Sequence, residues 1–195
     1  MIGIDLFSGA GGMSLGAELA GLSVQFAVEA NANACATYFR NHPNTHLLHK
    51  KIEDVTKLDF RSLGNRRRDL VVFGGPPCQG FSTSNQKTRT QDNPQNWLFQ
   101  EYIRVVKLLQ PEWIVFENVS GIMQTAQGRF LEMVRSSLAD AGYPTHQLLL
   151  NSVDFGVPQR RARSPALRNG LAKGSWISEP SLATRGMCGH PRSRI

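Results

Sequence analysis

Cys78 stands in the run Gly74-Gly75-Pro76-Pro77-Cys78-Gln79-Gly80-Phe81-Ser82, directly after the apolar stretch Asp69-Leu70-Val71-Val72-Phe73. That β-branched stretch predicts a buried parallel strand. Two glycines and two prolines then end it and stiffen the turn that presents the thiol. Loops at the carboxyl ends of parallel strands are where open α/β sheets place ligands. A nucleophilic thiolate is one reading of this cysteine. A buried, inert thiol in a tight turn is the other, because free cysteine is among the most buried residue types. A second apolar run, Trp113-Ile114-Val115-Phe116-Glu117-Asn118-Val119, ends in Glu-Asn, and a carboxylate there is costly unless it has work or a partner. Further on, Gln159-Arg160-Arg161-Ala162-Arg163 alternates Arg161 and Arg163, which an extended segment points to one side.

The elements that must position these groups alternate along the chain. A first strand, 2–7, runs into Ser8-Gly9-Ala10-Gly11-Gly12, followed by a helix over 13–20 with Gly21 as its C-terminal cap. Strand, glycine turn and helix open a nucleotide-binding unit, because glycines let the backbone approach a ligand closely. The GxGxxG fingerprint is incomplete: Gly9 and Gly11 fit, but Ser14 holds the third position. An ordinary tight connection is the alternative. The second strand, 23–29, ends in Glu29, about 20 residues after the turn, where such folds place a carboxylate on ribose hydroxyls. That role is favoured over a solvated strand end. A helix over 32–39 stops before Pro43 and puts Cys35 in the core.

A weak third strand covers 45–49, and Ile52-Glu53-Asp54-Val55 follows. Asp54 reads either as an acceptor for an adenine amino group or as a cap or surface acid. His42, His46 and His49 have no cysteine or acid at ligand spacing, so a surface loop is expected there and no metal site. Arg66-Arg67-Arg68 reads as a solvated turn. Residues 82–96 lack apolar periodicity and carry Lys87 and Arg89, a long polar flap beside the cysteine that suits a nucleic-acid substrate. Helix 98–110 presents Leu98, Tyr102, Val105, Val106 and Leu109 on one face and ends at Pro111. A further helix, 128–141, is capped by Gly142, and a sixth strand covers 146–150. This alternation predicts an α/β fold with a doubly wound, mostly parallel Rossmann-like sheet. Strands one and four end in the two glycine loops and flank its switch point.

Composition narrows the class. The 195 residues are 41% hydrophobic and 19% charged, ordinary for a soluble globular domain. No run of about 18 uncharged apolar residues offers a membrane span. The first residues lack the basic and apolar regions of a signal peptide. Cys35, Cys78 and Cys188 are widely spaced, which fits a reducing, cytoplasmic compartment, that is, bacterial cytoplasm or nucleoid. A net charge of +7 points to a polyanionic partner. Five basic residues against one acid fall in 164–195, so the charge excess of the domain proper is mild.

Taken together, these motifs resemble DNA (cytosine-5)-methyltransferases. Asp5-Leu6-Phe7-Ser8-Gly9-Ala10-Gly11-Gly12 is similar to that family's S-adenosylmethionine motif. The Pro-Cys-Gln loop at Cys78, Glu117-Asn118-Val119 and Gln159-Arg160-Arg161-Ala162-Arg163 match three further motifs in the family's order. The resemblance implies that Cys78 adds to carbon 6 of a flipped-out cytosine in double-stranded DNA, which then takes a methyl group on carbon 5. It implies that Glu117 holds the base at ring nitrogen 3 and the exocyclic amine, with Arg163, Arg161 and Gln159 supporting the site. It places Phe7, Gly9, Gly11, Glu29, Asp54, Pro76 and Leu98 around S-adenosyl-L-methionine, and identifies 83–96 with the family's mobile catalytic loop.

The resemblance covers 1–163, expected to be an incomplete catalytic domain. Residues 164–195 are rich in Ser, Gly, Pro and Arg and are expected to form an irregular basic tail, truncated or frameshifted near 164. The strand that should follow Arg163 is expected to be missing, with the recognition region and closing segment. A complementing C-terminal fragment and a restriction endonuclease system are the implied partners. The alternatives are an inactive remnant that at most binds cofactor and an RNA cytosine-5 methyltransferase, although the Cys-Phe-Thr segment of the latter is not found. A nicotinamide oxidoreductase is disfavoured by the incomplete fingerprint.

Overall fold

The structure, a computed structural model, describes residues 1–64, 69–77, 97–119, 129–160, 162–163 and 166–169. Among these the elements run β1 (Ile2–Leu6), α1 (Gly12–Leu19), β2 (Ser23–Glu29), α2 (Ala32–Asn41), β3 (His46–His49), β4 (Leu70–Gly74), α3 (Leu98–Leu109), β5 (Trp113–Phe116), α4 (Arg129–Asp140), β6 (His146–Gln147), β7 (Leu150–Asn151), β8 (Ala162–Arg163) and β9 (Ala166–Asn169). Two 3-10 helices, Ile52–Asp54 and Lys57–Leu63, link β3 to β4. The main sheet has the order β3-β2-β1-β4-β5-β9-β6. The neighbours from β3 to β5 are parallel, and β9 runs antiparallel to both β5 and β6. The chain winds outward from β1 to β3, returns to the centre at β4 and winds the other way. The switch point therefore lies between β1 and β4, as the two glycine loops predict.

Why the centre holds is visible in the pleat. β1 and β4 are buried at every residue, the mark of strands covered on both faces. On one face Ile4, Leu6, Phe26, Val28, Val72 and Ile114 pack against α3, α4 and the 3-10 segments, forming the larger core. Val71 and Phe73, the alternate residues of β4, and Val24, on the far side of a register shift in the β1–β2 pairing, face the other way onto Met13 and Ala17 of α1. That second face carries an apolar hollow of about 470 Å³ over β4 and β5, floored by Phe73, Trp113 and Val115. The Tyr102 hydroxyl, fully buried, donates toward the carbonyls of Val72 (3.1 Å) and Val115 (3.2 Å), between β4 and β5. Burial pushes this phenol far above its ordinary pKa.

Three expectations change. The strand expected to be missing after Arg163 is present: Ala166–Asn169 fills the slot between β5 and β6, pairing Phe116 with Ala166 and His146 with Leu167. Four residues of mixed polarity gain a ladder on each side, so neighbouring backbone overrides weak local preference. The single sixth strand over 146–150 is two short strands in different sheets, because β7 pairs with β8 rather than β9. His42 is not on a surface loop but 4% exposed, beneath the glycine turn. His46 and His49 lie exposed on β3. Cys35 is buried in α2 as expected, its thiol donating to the Glu29 carbonyl at 3.4 Å. Arg66-Arg67-Arg68 and the flap lie outside the described residues.

Candidate active site

At the carboxyl end of β1 the backbone turns sharply. Phe7 takes φ +60°, and Gly9 and Gly11 follow at +55° and +94°. A non-glycine residue in the left-handed region is uncommon and carries strain, so the surrounding fold fixes Phe7 in place. Gly11 also has no room for a side chain, since a Cβ there would strike the His42 ring. Glu29, at the end of the adjacent β2, accepts the Gly9 N–H at 2.9 Å through one carboxylate oxygen and the Asn31 N–H at 2.7 Å through the other. Asn31 then caps α2 through its side chain, which accepts from Asn33 and Ala34. One carboxylate thus ties the glycine turn to the start of the next helix.

In front of this turn lies a cavity of about 460 Å³. Phe7, Val28 and Glu29 form one wall, Ile52 and Glu53 another, and Gly75, Pro77 and Leu98 a third. It offers an aromatic ring, apolar contacts and two acids, Glu29 and Glu53, in the size range of a small-molecule site. Lys50 and Lys51 stand at its edge. Of the residues placed around a cofactor by the sequence, Phe7, Glu29 and Leu98 line it directly. Asp54 is exposed on the 3-10 turn whose preceding residues, Ile52 and Glu53, line the wall. Pro76 sits between lining residues Gly75 and Pro77, its carbonyl accepting from the Asn118 side chain at 3.4 Å.

That wall is held by one residue the sequence did not flag. Arg104, on α3, donates to the carbonyls of Ile52 at 2.7 Å and Val55 at 2.9 Å. Its Nε also bonds Glu101 at 2.6 Å. The available signal was an arginine in the polar stripe of α3, beside Gln100, Glu101 and Lys107.

The second half of the site forms where β4 meets β5. Gly74 and Gly75 are forced by contact: a Cβ on Gly74 would overlap the Leu6 carbonyl, and one on Gly75 would overlap the Glu117 carboxylate. Glu117 therefore lies against the backbone that leads through Pro76 and Pro77 to position 78. Its N–H continues the ladder to the Gly74 carbonyl at 2.9 Å. Its carboxylate meets the Arg163 guanidinium at 2.5 Å, with both side chains 25% exposed. Arg163 is brought there by β8 and by a bridge to Val119. Gln159 is exposed, with its N–H bonded to the Val157 carbonyl at 2.7 Å and its carbonyl accepting the Ser152 hydroxyl. Cys78 and Arg161 lie outside the described residues.

Beneath the glycine turn, Asp5 on β1 is 1% exposed, and burial pushes its carboxyl up to about 7, with the Glu29 charge adding and hydrogen bonds from Ser14 opposing. Among the described residues, no group of three metal-ligating side chains exists, and no helix is long and apolar enough to cross a membrane.

Residues 1–171 match the family model for C-5 cytosine-specific DNA methylase. The chain is 42% identical over 161 residues to the type II methyltransferase M1.HphI of Haemophilus parahaemolyticus, covering 82% of this chain and 43% of that relative. It is 37% identical over 189 residues to the type II methyltransferase M.AquIA of Picosynechococcus sp., covering 91% of this chain and 75% of the relative. Among solved structures, a DNA modification methyltransferase encoded within an E. coli prophage superposes with a TM-score of 0.73 at 30% identity, over 87% of this chain and 47% of that one. The chain belongs to the C-5 cytosine-specific DNA methylase family. It spans about two-fifths of the length of the first curated relatives it matches. S-adenosylmethionine is the cofactor of this family, and the donor set around the cavity fits it.

Proposed function

We propose that this chain carries the catalytic half of a DNA cytosine-5 methyltransferase, and that Cys78 is its nucleophile. The observation that carries the proposal is the packing of Gly75 on Glu117, with Gly75 and Pro77 also walling the cavity. Gly75 to Pro77, which lead to position 78, thus lie between the Glu117–Arg163 pair and the cavity. S-adenosylmethionine, when bound, supplies an electrophilic methyl group. The chain's own residues do the rest. Glu29 and Phe7 take the ribose and adenine, with Asp54 on the adenine amine and Leu98 beside the methionine portion. The Cys78 thiolate adds to carbon 6 of a cytosine drawn out of the duplex, and the electron pair displaced from the ring makes carbon 5 nucleophilic. Glu117 accepts from the exocyclic amine and shares a proton with ring nitrogen 3, which takes it up as the ring gains charge on thiolate addition, and Arg163 orients the carboxyl. Arg161 and Gln159 support this edge of the site. After methyl transfer, carbon 5 loses its proton and the carbon–sulfur bond breaks, which restores the thiolate.

The reading extends to partners. A protein with 43% of a relative's length in common with it needs further surface to select a DNA sequence, since base contacts carry specificity. We infer that a complementing C-terminal segment supplies that surface, in the cytoplasm, within a restriction-modification system. The uncovered apolar hollow over β4 and β5 supports an additional covering element. The test is transfer of tritium from labelled S-adenosylmethionine to duplex DNA, with an RNA of the same sequence in parallel and Cys78→Ser as control. Label in DNA that is lost in the variant is expected. Absence of transfer, with a relative's C-terminal fragment also supplied, overturns the proposal.

A further inference from the structure

Under the glycine turn runs a chain of buried polar groups that the proposed chemistry leaves unused. Ser14 Oγ lies 2.7 Å from Asp5 Oδ2 and 2.7 Å from the Tyr38 hydroxyl. Ser14 and Tyr38 are fully buried, and Asp5 nearly so. The three residues come from β1, α1 and α2. These are the elements that carry Phe7, the glycine turn and the helix start held by Glu29. His42 closes the other side, with Nε2 at 3.0 Å from the Gly11 carbonyl and Nδ1 at 3.3 Å from Glu18.

The chain is built for a neutral acid. Asp5 Oδ1 is buried and has no hydrogen-bond partner among the described residues. An ionised carboxylate would leave charge on that oxygen, with only neutral donors, both from Ser14, to offset it, a costly arrangement away from water. Of the groups that face it, Glu29 on β2 raises its proton affinity. Tyr38 on α2 and Tyr102 on α3 face it as phenols kept protonated first by burial. Glu18 on α1 adds to the negative surroundings of Tyr38.

We propose that Asp5 is a positioning residue for the cofactor turn, held as the neutral acid and acting through Ser14 on Tyr38. As an acid it donates to Ser14, which donates to the Tyr38 oxygen. As an anion it must accept from Ser14, and the direction of the whole chain reverses. The turn is ordered for ligand in the first state and loosened in the second. The inference rests on reading the cavity as the S-adenosylmethionine site, so the experiment separates the two.

S-adenosylhomocysteine binding is measured by calorimetry from pH 5.5 to 8.5, and thermal melting without ligand is followed over the same range. Wild type is expected to lose about tenfold in affinity as pH rises through the titration, one pH unit of proton linkage. Asp5→Asn, which cannot ionise, is expected to be flat in both measurements. Tyr38→Phe removes the end of the chain and is expected to move the midpoint of the wild-type profile. Absence of ligand binding by wild type at every pH refutes the cavity assignment alone, and melting still tests the acid. A wild-type melting profile that Asp5→Asn reproduces, or a midpoint that Tyr38→Phe leaves in place, overturns the inference. So does tight binding with no pH dependence.

Discussion

Arg104 is the residue whose removal tests how the cofactor wall is held. Its two guanidinium bonds reach carbonyls of the 52–55 segment from a helix about fifty positions later in the chain. Hydrogen bonds from a charged donor contribute about 1.5–3 kcal/mol each, and water at a partly exposed guanidinium lowers that toward the bottom of the range. The side chain is 38% exposed, so the lower figure applies. Val55 is 1% exposed, which leaves its carbonyl poorly placed to gain water in exchange. The Glu101 pair, three residues away on the same helix, adds about 0.5 kcal/mol or less. Arg104→Ala should therefore cost about 3 kcal/mol, and melting should fall by roughly 6–12 °C for a domain of this size. Arg104→Lys should recover less than half, because an ammonium is a point donor and does not span two carbonyls. Because Ile52 and Glu53 line the cavity, S-adenosylhomocysteine affinity should fall by about threefold to tenfold in both variants, a shift of order 1 kcal/mol. Glu101→Gln should change neither. Differential scanning fluorimetry and calorimetry provide the two readouts. Arg104→Ala melting within 2 °C of wild type and binding within about twofold would refute the clamp, since 1 kcal/mol already moves a midpoint by about 2–4 °C.

Stability should also carry opposing pH signatures. Asp5 binds its proton more tightly folded, at about 7, than at the ordinary 3.8, so its contribution is full below about 4 and is lost as pH rises to 7. The loss is at most about 4 kcal/mol, read by urea melts across that window, and Asp5→Asn should remove it. Asp59 runs the other way: its bond to Lys50 holds its carboxyl below the ordinary value, so Asp59→Asn should destabilise at pH 7 and be neutral once acid has titrated the group. Gly74→Ala drives a Cβ into the Leu6 carbonyl and should cost roughly 3 kcal/mol or more, seen as loss of soluble, cooperatively melting protein. Arg163→Lys should lower methyl transfer by about tenfold or more while leaving melting within a few degrees, because the lysine keeps the charge of a partly exposed pair.

The sheet centre was legible because burial there imposes its own composition. Leu70 to Phe73 and Trp113 to Phe116 are apolar without interruption, and the observed strands follow them. Gly21 and Gly142, read as helix caps, adopt φ +87° and +92°. What escaped the sequence depends on partners distant in the chain. Ala166-Leu167-Arg168-Asn169 has no strand signature until β5 and β6 supply edges for it. His42 reads as a loop residue because its burial is made by α1 and the glycine turn, thirty positions earlier. Asp5 reads as part of a motif, and only the approach of Ser14 and Tyr38 shows it to be buried. The site follows the same division. Spacing identified Glu117 and Arg163 separately, but their contact needs β8 to return beside the end of β5.

The place of β9 sets an order on assembly. Among the described residues, the strand that joins β6 to the sheet is the last in the chain, and β6 has no other sheet neighbour. On a ribosome, β5 must wait with one edge bare until residue 166 has emerged, while five strands from β3 to β5 can already close. β9 then adds to that bare edge and brings β6 with it, after the five earlier strands have paired, which makes this pairing a late event. During that interval the open edge is a template for any extended segment, including the same strand from a second nascent chain. Crowded translation of this message thus favours exchange of β9 between copies, and slowing synthesis after residue 169 favours capture by the strand's own sheet.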